Sequence, residues 1–241
     1  MIKANKKVIV ISIVAFVFCI VTLIGIILGV QISKIKLQKQ RAAELEAKNA
    51  YRNAKFAVYQ TENDLYDDYQ VDVAFLGDSL TYWYNLQQYY PQYVTVNRGI
   101  GGDTTFDLQN RLQLSLFDLK PKVAVMLIGA NNFETMMTNY EDILYSIKQN
   151  LPDTKVVILS LTSMSGEVWG VKNQIAAYNN VIIKKLADKY GFEFIDLYST
   201  LLNVETGEIY EGYTIDGCHF TPIGYAKITE IITPVLDKLL S

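Results

Sequence analysis

The sequence predicts an α/β fold in which a five-stranded parallel sheet lies between two layers of helices, preceded by a transmembrane helix. Short apolar runs alternate with longer amphipathic stretches from about residue 65 onward. These runs are rich in β-branched residues and almost continuously apolar, which is typical of strands buried on both faces. Strands that alternate with helices form right-handed βαβ units, so the sheet is expected to be parallel. A separate uncharged run near the N-terminus is long enough to cross a bilayer.

The composition is that of a globular protein with an added apolar segment. Of the 241 residues, 50% are hydrophobic and 20% are charged, and the formal net charge is −3. A nucleic-acid-binding protein would need a basic patch, so no nucleic-acid partner is expected. The chain has one histidine and two cysteines without a CxxC pair. This excludes a multi-histidine metal cluster and disfavours a zinc site, so we expect neither a metal nor a cofactor.

The uncharged run covers residues 8–30 and follows a short tail, residues 1–7, that contains three lysines. As a helix it would be about 34 Å long, against roughly 30 Å for the hydrocarbon core of a bilayer. A cleavable signal peptide is the alternative, but its apolar region would be shorter and would end in small residues. Bulky Phe18 before Cys19 disfavours a lipoprotein cleavage site. We therefore predict a single-pass membrane protein anchored through residues 8–30.

The orientation of the anchor is set less clearly by the sequence, because basic residues lie on both sides of the apolar run. A long C-terminal domain can be translocated whatever the charge of its flanks. We expect the N-terminus in the cytoplasm and the domain outside it.

Residues 31–59 predict a helical stalk, because they are rich in Lys, Gln, Ala and Glu and contain neither Gly nor Pro. Their apolar spacing is too irregular for a clear heptad repeat, which favours a solvated spacer over a dimerising stalk. The oligomeric state is left open. Residues 60–241 are then expected to form the globular domain.

The elements of that domain follow from the same patterns. The predicted strands cover residues 71–77, 93–97, 123–129, 155–161 and 192–197. The predicted helices cover residues 103–119, 139–151 and 171–190, and a last helix starts after Thr221 as its N-cap, with Pro222 in the first turn. Pro234 is expected to kink or restart this last helix, with Thr233 as a second cap.

Four polar segments come after predicted strands, where ligands bind in open parallel sheets. They are GDSLT (77–81), NRGIGGDTT (97–105), IGANN (128–132) and DGCH (216–219). Each also has a purely structural interpretation: a serine can cap a helix, GIGG can form a tight turn, and GANN has an ordinary turn composition. The glycines do not complete a G-x-G-x-x-G dinucleotide fingerprint. The expected convergence of all four segments at one sheet end favours a functional site.

Together these motifs resemble the SGNH (GDSL) hydrolases, a family of esterases, lipases and acetylhydrolases, over roughly residues 70–240. The resemblance implies a flavodoxin-like three-layer αβα sandwich. It also implies that Ser79 is the nucleophile, that His219 is the base with Asp216 as its partner, and that Gly102 and Asn131 join the Ser79 N–H as oxyanion donors. The family usually has an aspartate after the asparagine of its third motif.

This chain has Asn132 at that place, which bears on the hydrogen bonds that fix the loop rather than on the neighbouring Asn131. The chemistry agrees with the resemblance. A serine hydroxyl needs a base within hydrogen-bond reach, a carboxylate can hold the imidazole in the required tautomer, and amide donors can stabilise an oxyanion.

The expected function is a membrane-anchored serine esterase that hydrolyses short-chain acyl esters, acetyl esters among them, of a small molecule or an acylated glycan. One alternative is a glycan O-acyltransferase that uses the same site. The other is a surface binding module without activity.

Overall fold

The computed structural model describes residues 6–241 and divides into two compact units, Met1–Ala54 and Lys55–Ser241. The first unit consists of most of helix α1, Lys6–Asn63. Of the predicted N-terminal tail, residues 1–5 lie outside the described residues. Among the residues described, α1 is the one helix long and apolar enough to cross a membrane, by length and composition. An anchor and a signal sequence both fit that description.

The last turns of α1 belong to the second unit, which starts before the boundary expected at residue 60. Tyr59 is 3% exposed, and its hydroxyl donates to the carbonyl oxygen of Gly99 over 2.9 Å. The amide of Asn63 donates to the carbonyl oxygen of Leu114 over 2.8 Å. These buried polar contacts join the end of the helix to the globular domain.

The central sheet confirms the predicted architecture. Its five parallel strands are β1 Val73–Gly77, β2 Thr95–Gly99, β3 Val123–Leu127, β4 Lys155–Leu159 and β5 Glu193–Ile195. Their order is β2-β1-β3-β4-β5, the flavodoxin-like order. All residues of β1 and β3 are buried, as their continuous apolar sequences predict. Because the chain reverses direction across the sheet after β2, right-handed crossovers place helices on both faces.

The helices and minor elements connect these strands. The α-helices after α1 are α2 Ser79–Tyr82, α3 Leu86–Tyr89, α4 Thr105–Asn110, α5 Tyr140–Asn150, α6 Gly166–Trp169, α7 Asn173–Tyr190, α8 Leu197–Leu201 and α9 Pro222–Leu240. Two 3₁₀ turns lie at Met136–Thr138 and Gly170–Lys172. A small antiparallel hairpin is formed by β6 Leu202–Asn203 and β7 Glu208–Ile209.

The helix predicted over residues 103–119 is divided in the structure. Thr104 starts α4 through a reciprocal capping box with Asp107, and α4 ends at Asn110. A π-helical turn follows at Gln113–Phe117. A wider turn of this kind changes the direction of the side chains around it, and it occurs often near functional sites.

Of the two outcomes predicted for Pro234, a kink or a restart of the last helix, the restart with Thr233 as a cap is wrong. Helix α9 runs without interruption from Pro222 to Leu240, although Thr221 caps its start as predicted. The Thr233 hydroxyl instead donates to the carbonyl oxygen of Thr229, one turn earlier. Pro234 lies on the exposed side of the helix. There the carbonyl that loses its N–H donor can bond to water.

Candidate active site

Ser79 is the first residue of α2 and directly follows β1 and Asp78. Asp78 is fully buried and caps the helix, because its Oδ1 accepts the N–H of Leu80 over 3.0 Å. Burial raises the pKa of Asp78 to about 6, although the Leu80 N–H opposes the shift. The sharp strand-to-helix turn presents the Ser79 hydroxyl at the carboxyl end of the sheet. Its Oγ lies 2.9 Å from Nε2 of His219.

The other ring nitrogen of His219 contacts a carboxylate three residues earlier in the chain. Nδ1 of His219 lies 2.8 Å from Oδ2 of Asp216. The other oxygen of Asp216 accepts the backbone N–H groups of Cys218, over 3.0 Å, and of His219, over 2.8 Å. Burial pushes the pKa of Asp216 upward, but the hydrogen bonds from the His219 ring and from these N–H groups outweigh it and lower the pKa. The carboxylate is therefore held ionised beside the ring.

Gly217 makes this tight delivery of two side chains from one loop possible. Its φ is +94°, which is unfavourable for residues with a Cβ. A Cβ at this position would lie 2.1 Å from the carbonyl oxygen of Ser165. The N–H of Ser165 donates to the carbonyl oxygen of Gly217 over 2.9 Å, which ties the loop to the segment after β4.

Gly102 and Asn131 follow the two strands that flank β1. Gly102 has a φ of +77°, in the turn after β2. The side-chain amide of Asn131 donates one hydrogen to the carbonyl oxygen of Asp103 over 3.0 Å. This bond fixes the amide next to Gly102 and leaves its second hydrogen for another acceptor. The backbone N–H groups of Ser79 and Gly102 donate to no group within residues 6–241.

Asn132, the departure from the usual family motif, joins its loop to α4. Its Oδ1 accepts the N–H of Thr105, and its Nδ2 donates to the hydroxyl oxygen of Thr105 over 3.0 Å. That hydroxyl in turn donates to Oδ1 of Asn139 over 2.7 Å. The Asn132 amide thus starts a chain of hydrogen bonds that runs through the Thr105 hydroxyl to Asn139, with one donor for each acceptor. These bonds support the loop that carries Asn131 without an aspartate.

Sequence reasoning missed Arg111, a fully buried cation that connects these loops. Its Nε donates to the Asp103 carboxylate over 2.7 Å. Its Nη1 and Nη2 donate to the carbonyl oxygens of Arg98 and Gly77, each over 2.9 Å, at the ends of β2 and β1. The π-helical turn also brings Ser115 to Nη1. The sequence did carry a signal, because Arg111 falls on the apolar face of its helix, three residues after Leu108.

This arrangement brings all five predicted residues to the carboxyl ends of the adjacent strands β2, β1 and β3 and to the loop before α9. An imidazole nitrogen at 2.9 Å can remove the serine proton and make the hydroxyl a nucleophile. Backbone and amide N–H groups near it are the donors that an oxyanion requires.

Solved structures share this fold. A GDSL-like lipase from Bacteroides thetaiotaomicron superposes with a TM-score of 0.67 at 22% identity, over 77% of this chain and 98% of that one. An acetylxylan esterase from Geobacillus stearothermophilus gives a TM-score of 0.57 at 18% identity, over 70% and 95% of the two chains.

Sequence comparison points to the same group of proteins. The human platelet-activating factor acetylhydrolase IB subunit alpha2 is 29% identical over 184 residues, which cover 72% of this chain and 79% of the relative. The rat protein of the same name matches to the same extent. The family model for GDSL-like lipases and acylhydrolases matches residues 75–227, which include all five predicted site residues. The chain therefore belongs to the GDSL-like lipase/acylhydrolase family.

Proposed function

We propose that this protein is a serine esterase that hydrolyses short-chain acyl esters, with Ser79 as nucleophile. The observation that carries the proposal is the line of two short contacts, Ser79 Oγ to His219 Nε2 at 2.9 Å and His219 Nδ1 to Asp216 Oδ2 at 2.8 Å. A structural serine cap would need neither contact. A histidine without a catalytic role would not need a serine on one nitrogen and a carboxylate on the other.

In the proposed mechanism, Ser79 Oγ attacks the ester carbonyl carbon while its proton moves to Nε2 of His219. The carbonyl oxygen becomes an oxyanion, and Asp216 stabilises the imidazolium cation that forms. His219 then gives the proton to the leaving alcohol oxygen as the carbon–oxygen bond breaks. Water, deprotonated by the same imidazole, then attacks the acyl carbon of the acyl-enzyme. As the bond between that carbon and Ser79 Oγ breaks, His219 returns the proton to Oγ and the acid is released.

Three donors are proposed for the oxyanion: the backbone N–H groups of Ser79 and Gly102, and the second amide hydrogen of Asn131. The first two donate to no protein group within the described residues. The third is oriented by the hydrogen bond of the same amide to Asp103. Donors fixed before the reaction stabilise developing charge without reorganisation.

The short acyl length and the location are also proposals. Relatives named acetylhydrolase and acetylxylan esterase favour an acetyl group. The uncharged residues 8–30 favour a single-pass anchor, with the domain outside the cytoplasm and a small ester or an acylated glycan as substrate.

A fluorophosphonate probe combined with chromogenic esters of increasing acyl length tests this function. The wild-type protein should be labelled at Ser79 and should turn over acetyl esters fastest. Ser79→Ala should abolish labelling and lower kcat by several orders of magnitude, since removal of one triad member leaves only residual catalysis. Ser199→Ala, a change of an exposed serine, is the matched control and should behave as wild type.

The products distinguish the alternatives. Free acid in the presence of glycans indicates a hydrolase, and acylated glycan indicates an acyltransferase. An unlabelled wild-type protein without turnover would be a binding module, which would contradict the proposal.

A further inference from the structure

An open groove of about 500 Å³ includes His219 and Asp216 in its wall. This volume is within the range of small-molecule sites in proteins. Trp83, Tyr89 and Ile215 are among its apolar lining residues. The mechanism proposed above uses only the His219 and Asp216 side chains of this groove, so the remainder of the wall has no assigned role.

The position of His219 determines which part of an ester the groove can hold. The nitrogen that takes the Ser79 proton must give it to the leaving alcohol oxygen, so the alcohol lies on the His219 side of the reacting carbon. The carbonyl oxygen lies on the side of Gly102 and Asn131. Among the described residues, neither of these two lines the groove. The groove lies on the His219 side and is therefore placed for the alcohol part of the substrate.

Two aromatic residues in the wall of the groove contact neighbouring groups of the domain. The hydroxyl of Tyr89 donates to the carbonyl oxygen of Pro222 over 3.0 Å. Trp83 packs edge-on against Tyr82, with ring centroids 5.5 Å apart, yet it remains 65% exposed. An exposed indole in the wall of the same groove as the proposed catalytic histidine offers a flat apolar surface to a ligand.

Polar groups at the exposed side of the groove are suited to hydroxyl groups. Asn85 accepts the N–H of Gln88 and donates to its Oε1 over 3.2 Å, which orients both amides. Nε2 of Gln88 donates to no group within residues 6–241. Among the described side chains that line the groove, Asp216 is the fixed charge, and there is no lysine or arginine. An anionic alcohol would be repelled by Asp216 and would find no cation to pair with.

We propose that this groove binds the alcohol part of the ester as a neutral saccharide ring that stacks on Trp83, which makes Trp83 a specificity-determining residue. The proposal rests on the esterase function given above. A saccharide ring has apolar C–H faces for the indole and hydroxyls for the amides of Asn85 and Gln88. An alkyl alcohol would gain most from a closed channel that removes it from water, whereas this groove is open.

The test compares acetyl esters that differ only in the alcohol: methyl acetate, n-hexyl acetate, a mono-O-acetylated methyl glucoside and its glucuronate counterpart. Wild type, Trp83→Phe and Trp83→Ala are measured as full chains in detergent. Tyr178→Ala, which removes an equally exposed ring on α7, is the control. We expect Trp83→Ala to lower kcat/KM for the glucoside about tenfold, or ~1.4 kcal/mol, with methyl acetate unchanged. Trp83→Phe should keep most of the activity, and the glucuronate should be a poor substrate of all variants.

Two results would overturn the proposal. An equal loss on methyl acetate and glucoside would mean that Trp83 acts on the site as a whole. A preference for hexyl acetate that Trp83→Ala abolishes would make the groove an alkyl site.

A binding experiment separates this inference from the esterase function: saturation-transfer NMR measures whether methyl glucoside binds to the Ser79→Ala variant. If no ester is turned over, the esterase function fails. Glucoside binding to Ser79→Ala that is lost when Trp83→Ala is added would still support the saccharide site. Absence of binding to Ser79→Ala both with and without Trp83→Ala would refute it.

Discussion

Asn131→Asp is the sharpest single probe of the proposed oxyanion site, because the two side chains have nearly the same shape. The substitution replaces the only side-chain donor of the site by an acceptor. In the wild type, one amide hydrogen is used by the carbonyl oxygen of Asp103 over 3.0 Å, and the other is proposed to meet the oxyanion. Both donations are lost in the variant, and a carboxylate oxygen then faces the Asp103 carbonyl.

The two losses have separate magnitudes. Removal of one oxyanion donor costs about 10²–10³ in kcat, or ~2.7–4 kcal/mol of transition-state stabilisation. The Asp103 carbonyl loses a hydrogen bond, which should lower the free energy of unfolding by about 1–3 kcal/mol. KM should change little, because the charge on the carbonyl oxygen develops only in the transition state. Asn131→Ala should lose the same donors without the repulsion, so Asp should be at least as harmful as Ala.

The assay measures kcat and KM on one acetyl ester, with thermal melts to correct for the folded fraction. Asn132→Asp is the matched control, since it makes the same change one residue later and restores the residue usual in the family. Its Oδ1 can still accept the Thr105 N–H, so near-normal kcat is expected. A folded Asn131→Asp enzyme with wild-type kcat would remove Asn131 from the oxyanion site.

Three further predictions concern the groups around the site. Asp78→Asn should abolish a pH dependence of the free energy of unfolding. Burial raises the pKa of Asp78 from 3.8 to about 6, so the folded state binds the proton more tightly than the unfolded state does. Wild-type stability should therefore fall as the pH rises from about 4 to 6. Urea unfolding at pH 4.5 and pH 8 should show the Asp78→Asn variant to be more stable than the wild type at pH 8, by on the order of 3 kcal/mol. Identical pH profiles of the two proteins would count against this reasoning. Arg111→Met should destabilise the protein by about 3–5 kcal/mol, because it removes the cation of the buried ion pair with Asp103. Asp103→Leu in the same chain should recover much of the loss. A stability unchanged by Arg111→Met would show that the pair is unimportant. Deletion of residues 1–50 should give a soluble, active protein, because the compact second unit starts at Lys55, and insolubility of that protein would mean that the domain needs the removed segment.

The sequence predicts the sheet well where local signals are enough. Buried parallel strands are continuous apolar runs, and each predicted strand overlaps the observed one. Strand β2 shows the limit, because it was predicted to end at Asn97 and extends to Gly99. It includes Arg98, a charged residue that is completely buried because Glu62 and the Tyr59 ring at the end of α1 neutralise and cover it. A partner 36 residues earlier in the chain leaves no local pattern around the strand.

The candidate site is a similar case. The motifs, with their positions after strands, predict Ser79, His219 and Asp216 together. They do not predict that Arg111 holds the loops that carry the proposed oxyanion donors, since its four acceptors come from four separate segments of the chain. Likewise, Ile232 and Leu236 on either side of Pro234 are fully buried, and such tertiary packing favours a continuous α9 that the local sequence does not predict.

The attachment of the last turns of α1 to the domain determines where a protease could separate the domain from residues 8–30, the proposed anchor. Cleavage between residues 31 and 54 would cut exposed helix and leave the contacts of Tyr59, Glu62 and Asn63 in place. Cleavage after Glu62 would strip the carboxylate and the aromatic ring from Arg98 and leave a guanidinium buried without its counter-ion, at the strand that leads to Gly102. If residues 8–30 anchor the chain as proposed, a cut before Lys55 would release an intact domain. A cut just after Glu62 would release a domain that has lost this buried ion pair.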